Sequence, residues 1–567
     1  MRILLLTHAF NGLTQRLHAE LGALGHEVSV EFDIADAVAE EAVELFRPDL
    51  IIAPYLRRAI PESIWSRHVC LIVHPGIVGD RGPSALDWAI QEGESSWGVT
   101  VLQAEEQMDA GPIWASETFD LRAARKASVY RNEVTEAACR AVCVALERLA
   151  AGHRPVPLAE AGGRGRLRPL MRQSDRRIDW ERDATATVLR KLDAADGFPG
   201  VADELFGQPC HLFDAWPESG LGGGRPGEIL GRRETALLRA TVDGAIWIGH
   251  VRRGDAQPAI KLPAAMAFAA EAAALPDLPL ADWWRARQAT WQDIAYSEGD
   301  GVGLLHFEFY NGAMGTRQCE RLLQAYRWAC TRPTRVIVLA GGADFWSNGI
   351  HLNLIEAARS PADESWHNIQ AIDDLAEAVI TTESHCTVAA LRGNAGAGGA
   401  FLARAADLVW ARSGVLLNPH YKNMGNLYGS EYWTYLLPPR VGEDGAREIM
   451  RNRLPLTARA ALQRGFIDDC LELDADGFAT EVLRRAAELA AAPDFPRRLQ
   501  AKRDARARDE ARKPLARYRE EELQMMRRNF YGFDPSYHVA RYRFVLKSPH
   551  SWTPRHLARH RDPVRGR

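Results

Sequence analysis

The run from Leu71 to Ile90 constrains the fold more than any other stretch of the chain. Leu71-Ile72-Val73 reads as a buried strand, His74-Pro75 as a turn, Gly76 to Gly82 as a glycine-rich loop, and Pro83-Ser84 as the start of a helix. A strand that hands over to a helix in this way belongs to an open α/β sheet, and a polar residue at the strand's end faces the mouth where such sheets bind ligands. The preceding residues agree. Ile3–Leu6 is a short apolar strand, Asn11-Gly12 a turn, Thr14–Leu24 a helix closed by Gly25, and Glu27–Phe32 a second strand. Leu50–Ala53 and Val69–Val73 continue the alternation, which predicts a parallel sheet with helices on both faces. No G-x-G-x-x-G opens the chain, so a dinucleotide site is disfavoured.

At 567 residues the chain exceeds what one core can organise, and three or so domains are expected. With 46% hydrophobic and 25% charged residues it is ordinary globular material, and a net charge of -4 argues against a general nucleic-acid binder. The eight cysteines form no C-x-x-C pair, which predicts a reducing cytoplasm and gives no zinc site. The apolar start Met1–Leu6 ends at Thr7-His8 with no cleavage site behind it, so it reads as a strand. No run approaches the roughly eighteen apolar residues of a membrane helix.

His74 alone is a weak signal, because only geometry and a partner make a histidine an acid or base. A second element follows in Glu105 to Ile113, where Asp109 precedes Gly111-Pro112. By itself Asp109 reads equally well as a turn-forming acid. Together the elements resemble the strand-end H-P and later D-x-G-x-I of the folate-dependent formyltransferases. That resemblance implies formyl transfer from 10-formyltetrahydrofolate, with His74 and Asp109 as the acid/base pair and Ile72, Gly76 and Gly111 bordering the folate. One position departs from the family. Where the formyltransferases carry an Asn two residues before the His, this chain has Ile72, which donates no hydrogen bond. Loss of such an oxyanion donor costs roughly 2–4 kcal/mol of transition-state stabilisation. A thiolate acceptor, more nucleophilic than an amine, would tolerate that loss.

Residues 1–162 are expected as the formyltransferase-like Rossmann-type domain. The stretch Met171–Trp180, followed by Gly197-Phe198-Pro199-Gly200 and glycine-separated strands such as Ala245–Ile248, resembles the small β-barrel domain that follows the catalytic domain in methionyl-tRNA formyltransferase. It is assigned to 163–265, with an Ala/Pro-rich linker over 266–298.

A new α/β pattern begins near residue 299. Trp346 to Leu352 resembles the F-x-x-G-x-D-L element of the crotonase (enoyl-CoA hydratase/isomerase) family, and Ala395 to Asp407 its A-x-G-G-G…D element. The resemblance implies a spiral ββα domain over 299–490, an oxyanion hole from the backbone amides of Ile350 and Gly398, and coenzyme A contacts at Gly349 and Gly399. The hydratases' acid/base residues do not carry over, since one falls on Phe401 and the other near Asn418-Pro419-His420. Two candidates follow in Tyr421 and Glu431, with His420 in reserve. Glu431 reads either as a carboxylate opening an aromatic helix, favoured there by the helix dipole, or as a proton shuttle in an acyl pocket; Tyr421 reads equally as a packed tyrosine. The Arg-rich helical segment 491–567 alternates charge signs, as a solvated face does.

The combination of the two halves, with His-Pro-Gly-Ile-x-Gly-Asp-Arg-Gly-Pro-Ser and Gly-Ser-Glu-Tyr-Trp, resembles the HypX/HoxX hydrogenase-maturation family. It implies synthesis of the carbon monoxide ligand of [NiFe] hydrogenase from a formyl group carried on coenzyme A, with hydrogenase-maturation proteins receiving the CO. A formyl-CoA hydrolase or other acyl-CoA enzyme, and a non-catalytic one-carbon delivery module for hydrogenase maturation, stay open as alternatives.

Overall fold

A computed structural model describes residues 1–285 and 289–562. The chain divides into two compact units, residues 1–259 with 263–278 and the segment from Pro549 onward, and residues 260–262 with 279–548.

In the first unit a six-stranded sheet runs in the order Glu27–Phe32, Arg2–Thr7, Leu50–Tyr55, Cys70–His74, Ser96–Gln103, Ile113–Asp120. The first four strands are parallel, as expected, and the fifth, Ser96–Gln103, is antiparallel to both of its neighbours, so the whole sheet is mixed. The reason lies in the opening stretch. After His74 the chain spends ten residues on the loop, and the helix Ala85–Glu92 is only about 12 Å long. The next strand therefore enters at the His74 end and runs back, pairing Thr100 with His74 and Gln103 with Leu71.

The exposed edge of this sheet is covered from the far end of the chain. Val30 N–H donates to Leu557 O at 3.0 Å and Phe32 N–H to Thr553 Oγ1 at 2.9 Å. Glu31, its side chain fully buried, accepts from His560 at 2.9 Å and Arg561 at 2.8 Å. These bonds occupy groups that an open edge strand would offer to another chain. The expected 491–567 segment is thus helical only in part, its last portion belonging to the first unit.

A second sheet follows in the same unit, with antiparallel strands ordered Val201–Leu205, Gln208–Glu218, Ala245–Arg253, Ala236–Ala240, Ile229–Arg233. The stretch expected as a linker is folded at both ends: Phe268 and Ala272 are buried in the core of this sheet, and Ile294–Gly299 is the first strand of the next.

The second unit carries a sheet ordered Ile294–Gly299, Val302–Phe307, Val336–Gly341, Cys386–Leu391, Leu408–Arg412, Asp469–Leu471, parallel after its first pair. A smaller sheet of Phe345–Ser347, Asn394–Gly396, Leu416–Asn418 and Leu456–Thr457 lies beside it. Its parallel register sets Ser347 beside Ala395 and Gly396 beside Asn418, which brings the two glycine elements and the Asn418–Tyr421 segment to one end.

Two helices complete this end. Pro361–Ile380 starts with Ser360 capping Asp363 N–H and a proline in its first turn. It buries Ile369, Ile372, Leu375, Ala376 and Val379 at helical spacing, each large apolar side chain worth about 2 kcal/mol. Leu515–Tyr531 buries Leu515, Met526 and Phe530. Each stripe also contains one carboxylate, Asp373 and Glu522 respectively, where a further apolar residue would be expected.

Candidate functional site

His74 is 5% exposed at the end of its strand. The turn behind it is fixed by Trp97 Nε1, which donates to Pro75 O at 2.9 Å, and by Thr100 Oγ1, which donates to Gly76 O at 2.8 Å. The imidazole has two carboxylate neighbours. Asp80 Oδ2 lies at hydrogen-bond distance, 3.1 Å from Nε2, whereas Asp109 Oδ2 is 3.7 Å from Nδ1 and accepts instead from Gly82 N–H at 3.2 Å. The predicted pair is therefore brought together, but Asp80 makes the shorter contact. Asp80 is itself buried, with the Arg168 guanidinium 3.3 Å away, and Arg168 also binds Glu92 at 2.6 Å. Asp109 takes a left-handed backbone (φ 54°), which its short polar side chain tolerates.

Gly76 is required by this geometry: a Cβ there would stand 2.5 Å from His74 Nε2 and 2.7 Å from Asp80 Oδ2. Gly111 lies against the Gln103 carbonyl, in the turn that carries Asp109. Ile72 shares the His74 face of the strand and packs on the apolar cluster of Leu4, Leu6, Ile51 and Ala53. Its side chain thus serves the core.

In the second unit, Gly349 (φ 76°) turns the chain so that a Cβ on it would lie 3.2 Å from Gly398 N. This places the Ile350 and Gly398 peptides side by side. The neighbouring Met314 N–H donates to Gly349 O at 2.9 Å, Ser347 Oγ accepts from Gly349 N–H at 3.1 Å, and Asn368 holds both Met314 O and His351 N–H. Gly398 opens the helix Gly398–Arg404, where first-turn amides have no intrahelical acceptor. Gly399 packs on the Ser347 carbonyl. Two rigid backbone donors in this arrangement can polarise a carbonyl oxygen.

Glu431 meets Gly398 directly. A Cβ on Gly398 would stand 1.9 Å from Glu431 Oε1. The other oxygen, Oε2, accepts from Tyr421 OH at 2.5 Å and from Ser430 N–H at 3.2 Å. Glu431 is 1% exposed and Tyr421 5%. The Tyr421 ring stacks on Phe401 at 5.7 Å, an aromatic wall beside the carboxyl group. His420 is buried one residue before Tyr421, its own amide donating to Asn418 O at 2.8 Å.

The expectation that Glu431 opens a helix is corrected. The helix begins at Trp433 and has four residues, and Glu431 and Tyr432 before it both take left-handed backbone, each at φ 59°. The cost is about 1–2 kcal/mol for each residue. It is met by two groups that the sequence reading did not single out. Asp373 Oδ1 accepts Glu431 N–H at 2.8 Å while Oδ2 accepts Ser430 Oγ–H at 2.8 Å. Glu522 Oε2 accepts Tyr432 N–H at 2.9 Å while Oε1 accepts Thr434 N–H at 2.8 Å and its hydroxyl at 2.5 Å.

Burial dominates the electrostatics of this cluster. It drives the Glu431 carboxyl well above the ordinary carboxylate range, helped by the negative charge of Asp373. Burial pushes Asp373 up to about 7 against the pull of the Ser430 hydroxyl and Arg519, and Glu522 up to about 8 against its Thr434 bonds. The Tyr421 phenol is raised by burial and by Glu431 beside it, so it stays a donor near neutrality. A carboxyl group with such proton affinity, standing against Gly398, can take up and return a proton.

The class follows from comparison with known families. The formyl transferase family matches residues 30–146, the formyl transferase C-terminal domain residues 170–261, and the enoyl-CoA hydratase/isomerase family residues 311–554. A methionyl-tRNA formyltransferase from Chloroflexus aurantiacus is 28% identical over 220 residues, 38% of this chain and 70% of that enzyme. The chain thus combines a formyltransferase half with a crotonase-type half. Hydrogenase maturation factor HoxX of Bradyrhizobium diazoefficiens is 55% identical over 562 residues, covering 99% of this chain and 97% of that protein. The crystal structure of HypX from Aquifex aeolicus in complex with tetrahydrofolic acid matches with a TM-score of 0.96 and 48% identity, covering 99% of each chain. The chain belongs to the HoxX/HypX family of hydrogenase maturation factors. No described helix is long and apolar enough to cross a membrane.

Proposed function

We propose that the protein makes carbon monoxide for hydrogenase maturation in two steps, formyl transfer from 10-formyltetrahydrofolate to coenzyme A and then decarbonylation of formyl-CoA. The observation that carries the reading is Glu431 Oε1 standing against Gly398, beside the Ile350 amide, while Phe401 removes the first hydratase carboxylate.

In the first step the coenzyme A thiolate attacks the formyl carbon, the C–N10 bond breaks, and N10 leaves with a proton. His74 takes the thiol proton and returns it to N10, while Asp80 and Asp109 orient the ring and stabilise its cationic form. Gly76 and Gly111 border the folate; binding of a folate is supported by the Aquifex relative, whose crystal structure is a complex with tetrahydrofolic acid. Ile72 leaves the oxyanion without a side-chain amide, which suits a thiol acceptor.

In the second step formyl-CoA lies with its carbonyl oxygen on the Ile350 and Gly398 amides and its thioester chain along Gly349 and Gly399. The formyl group has no α-carbon, so no enolate forms. Glu431 takes the formyl proton, the C–S bond breaks as the C–H pair becomes the carbon lone pair of CO, and the proton passes to the sulfur, giving CO and free coenzyme A. Tyr421 holds Glu431 in place and keeps its charge solvated by a hydrogen bond; His420 is the reserve donor. The partners are the small molecules and the maturation proteins that receive CO, with no role for nucleic acid, membrane or metal, and the setting is the cytoplasm.

The test is the Glu431→Gln variant given 10-formyltetrahydrofolate and coenzyme A. Formyl-CoA accumulation without CO is expected, and undiminished CO release would remove Glu431 from the mechanism.

A further inference from the structure

Two carboxylates are buried in the apolar stripes of two helices, on Pro361–Ile380 and Leu515–Tyr531, and neither is in an ion pair at hydrogen-bond distance among the described residues. A buried charge is costly unless its oxygens meet donors. Here those donors all come from one short turn. Asp373 takes the Glu431 amide and the Ser430 hydroxyl, and Glu522 takes the Tyr432 amide and both donors of Thr434. Glu431 and Tyr432 are the two successive left-handed residues, and Gly429 before them is also left-handed at φ 94°. The turn thus has one anchor per strained amide, each from a separate helix.

We propose that Asp373 and Glu522 are positioning residues for the Glu431 step: through the Glu431 and Tyr432 amides they fix the turn that keeps Oε1 against Gly398. This rests on the reading of Glu431 as the proton-moving group. The placement explains why a carboxylate is used instead of an amide. An amide at 522 would turn its NH2 towards an N–H donor, whereas a carboxylate accepts on both oxygens. At 373 the Ser430 hydroxyl can donate or accept, so an amide there would keep both hydrogen bonds and remove only the charge.

That difference makes the test. The full chain and its D373N, E522Q and E431Q variants are given formyl-CoA directly, and CO release is followed for kcat, KM and their pH dependence. The groups facing Glu431 are Tyr421, Asp373 and Glu522, with Cys319 from the helix Thr316–Ala329 and, beyond Asp373, Arg519. Removing the Asp373 charge lowers the proton affinity of Glu431, so in D373N the rising limb of the kcat profile moves about one pH unit to lower pH with KM unchanged. In E522Q the turn loses an anchor and kcat falls about 100-fold, again with KM unchanged. A merely structural role would leave the pH limb of D373N in place. If E522Q does not fold, D373N decides alone.

The outcomes separate cleanly. If E431Q releases CO at the parental rate, the reading of Glu431 fails. If E431Q is dead while D373N keeps the parental limb, or a folded E522Q keeps the parental kcat, the positioning role is overturned and Glu431 stands.

Discussion

In the first unit the candidate acid/base group ends a strand and finds Asp80 six residues further along the same loop. In the second, Glu431 sits in a left-handed turn whose anchors come from residues 58 and 90 positions away. The difference follows from the side chains. An imidazole titrates near neutrality in water and needs only orientation, which a local turn supplies. A carboxyl group must be lifted to that range by burial and by neighbouring charge, and burying it demands helices from elsewhere in the chain.

The largest expected effect breaks the second site alone. Glu431→Gln should lower CO release by about 100- to 10,000-fold while formyl-CoA accumulates, read by separating the labelled thioester from labelled gas. The reciprocal change, His74→Ala, should slow formyl transfer about 100-fold or more but leave CO release from supplied formyl-CoA at the parental rate. A parental transfer rate there would favour a delivery module over an enzyme. Asp80→Asn keeps the shape of the loop and removes the charge beside the imidazole; formyl transfer should fall about tenfold, a loss near 1.4 kcal/mol in the barrier.

A thermal measurement sharpens the same contrast. Because burial raises Asp373 to about 7 and Glu522 to about 8, the folded state binds protons there that the unfolded chain releases. Their contribution to stability is fully present at pH below the ordinary carboxylate range and is lost as pH rises towards about 8. Glu522→Gln should therefore flatten the fall of the melting temperature between about pH 5 and about pH 8, and an unchanged slope would contradict the protonation of this site. The smallest effect is expected at Ile72→Asn, where restoring the amide should change transfer to coenzyme A by less than about threefold if a thiolate does not need it.

What the sequence made legible follows the same division. His74, the glycine loop, both crotonase glycine elements, Tyr421 and Glu431 lie in short motifs whose residue types state their chemistry. Asp80 lies inside the His74 motif, and its place one loop from the strand end was the signal for a second carboxylate. The reversed direction of Ser96–Gln103 in the first sheet depends on the path after a loop, which hydrophobic alternation does not encode. Asp373 and Glu522 are far from any motif. Their one trace is a carboxylate within the buried stripe of an amphipathic helix, a position where a charge is expensive and marks a polar contact. The two left-handed residues that end the turn, Glu431 and Tyr432, are not glycines, so the aromatic run after them reads as the start of a helix.

The most direct measurement uses the purified parental protein, 10-formyltetrahydrofolate labelled in the formyl carbon, and coenzyme A. Release of the label as CO, with tetrahydrofolate formed and coenzyme A recovered as free thiol, is the predicted result. Label appearing as formate, with no labelled gas, would contradict the account and identify a formyl-CoA hydrolase.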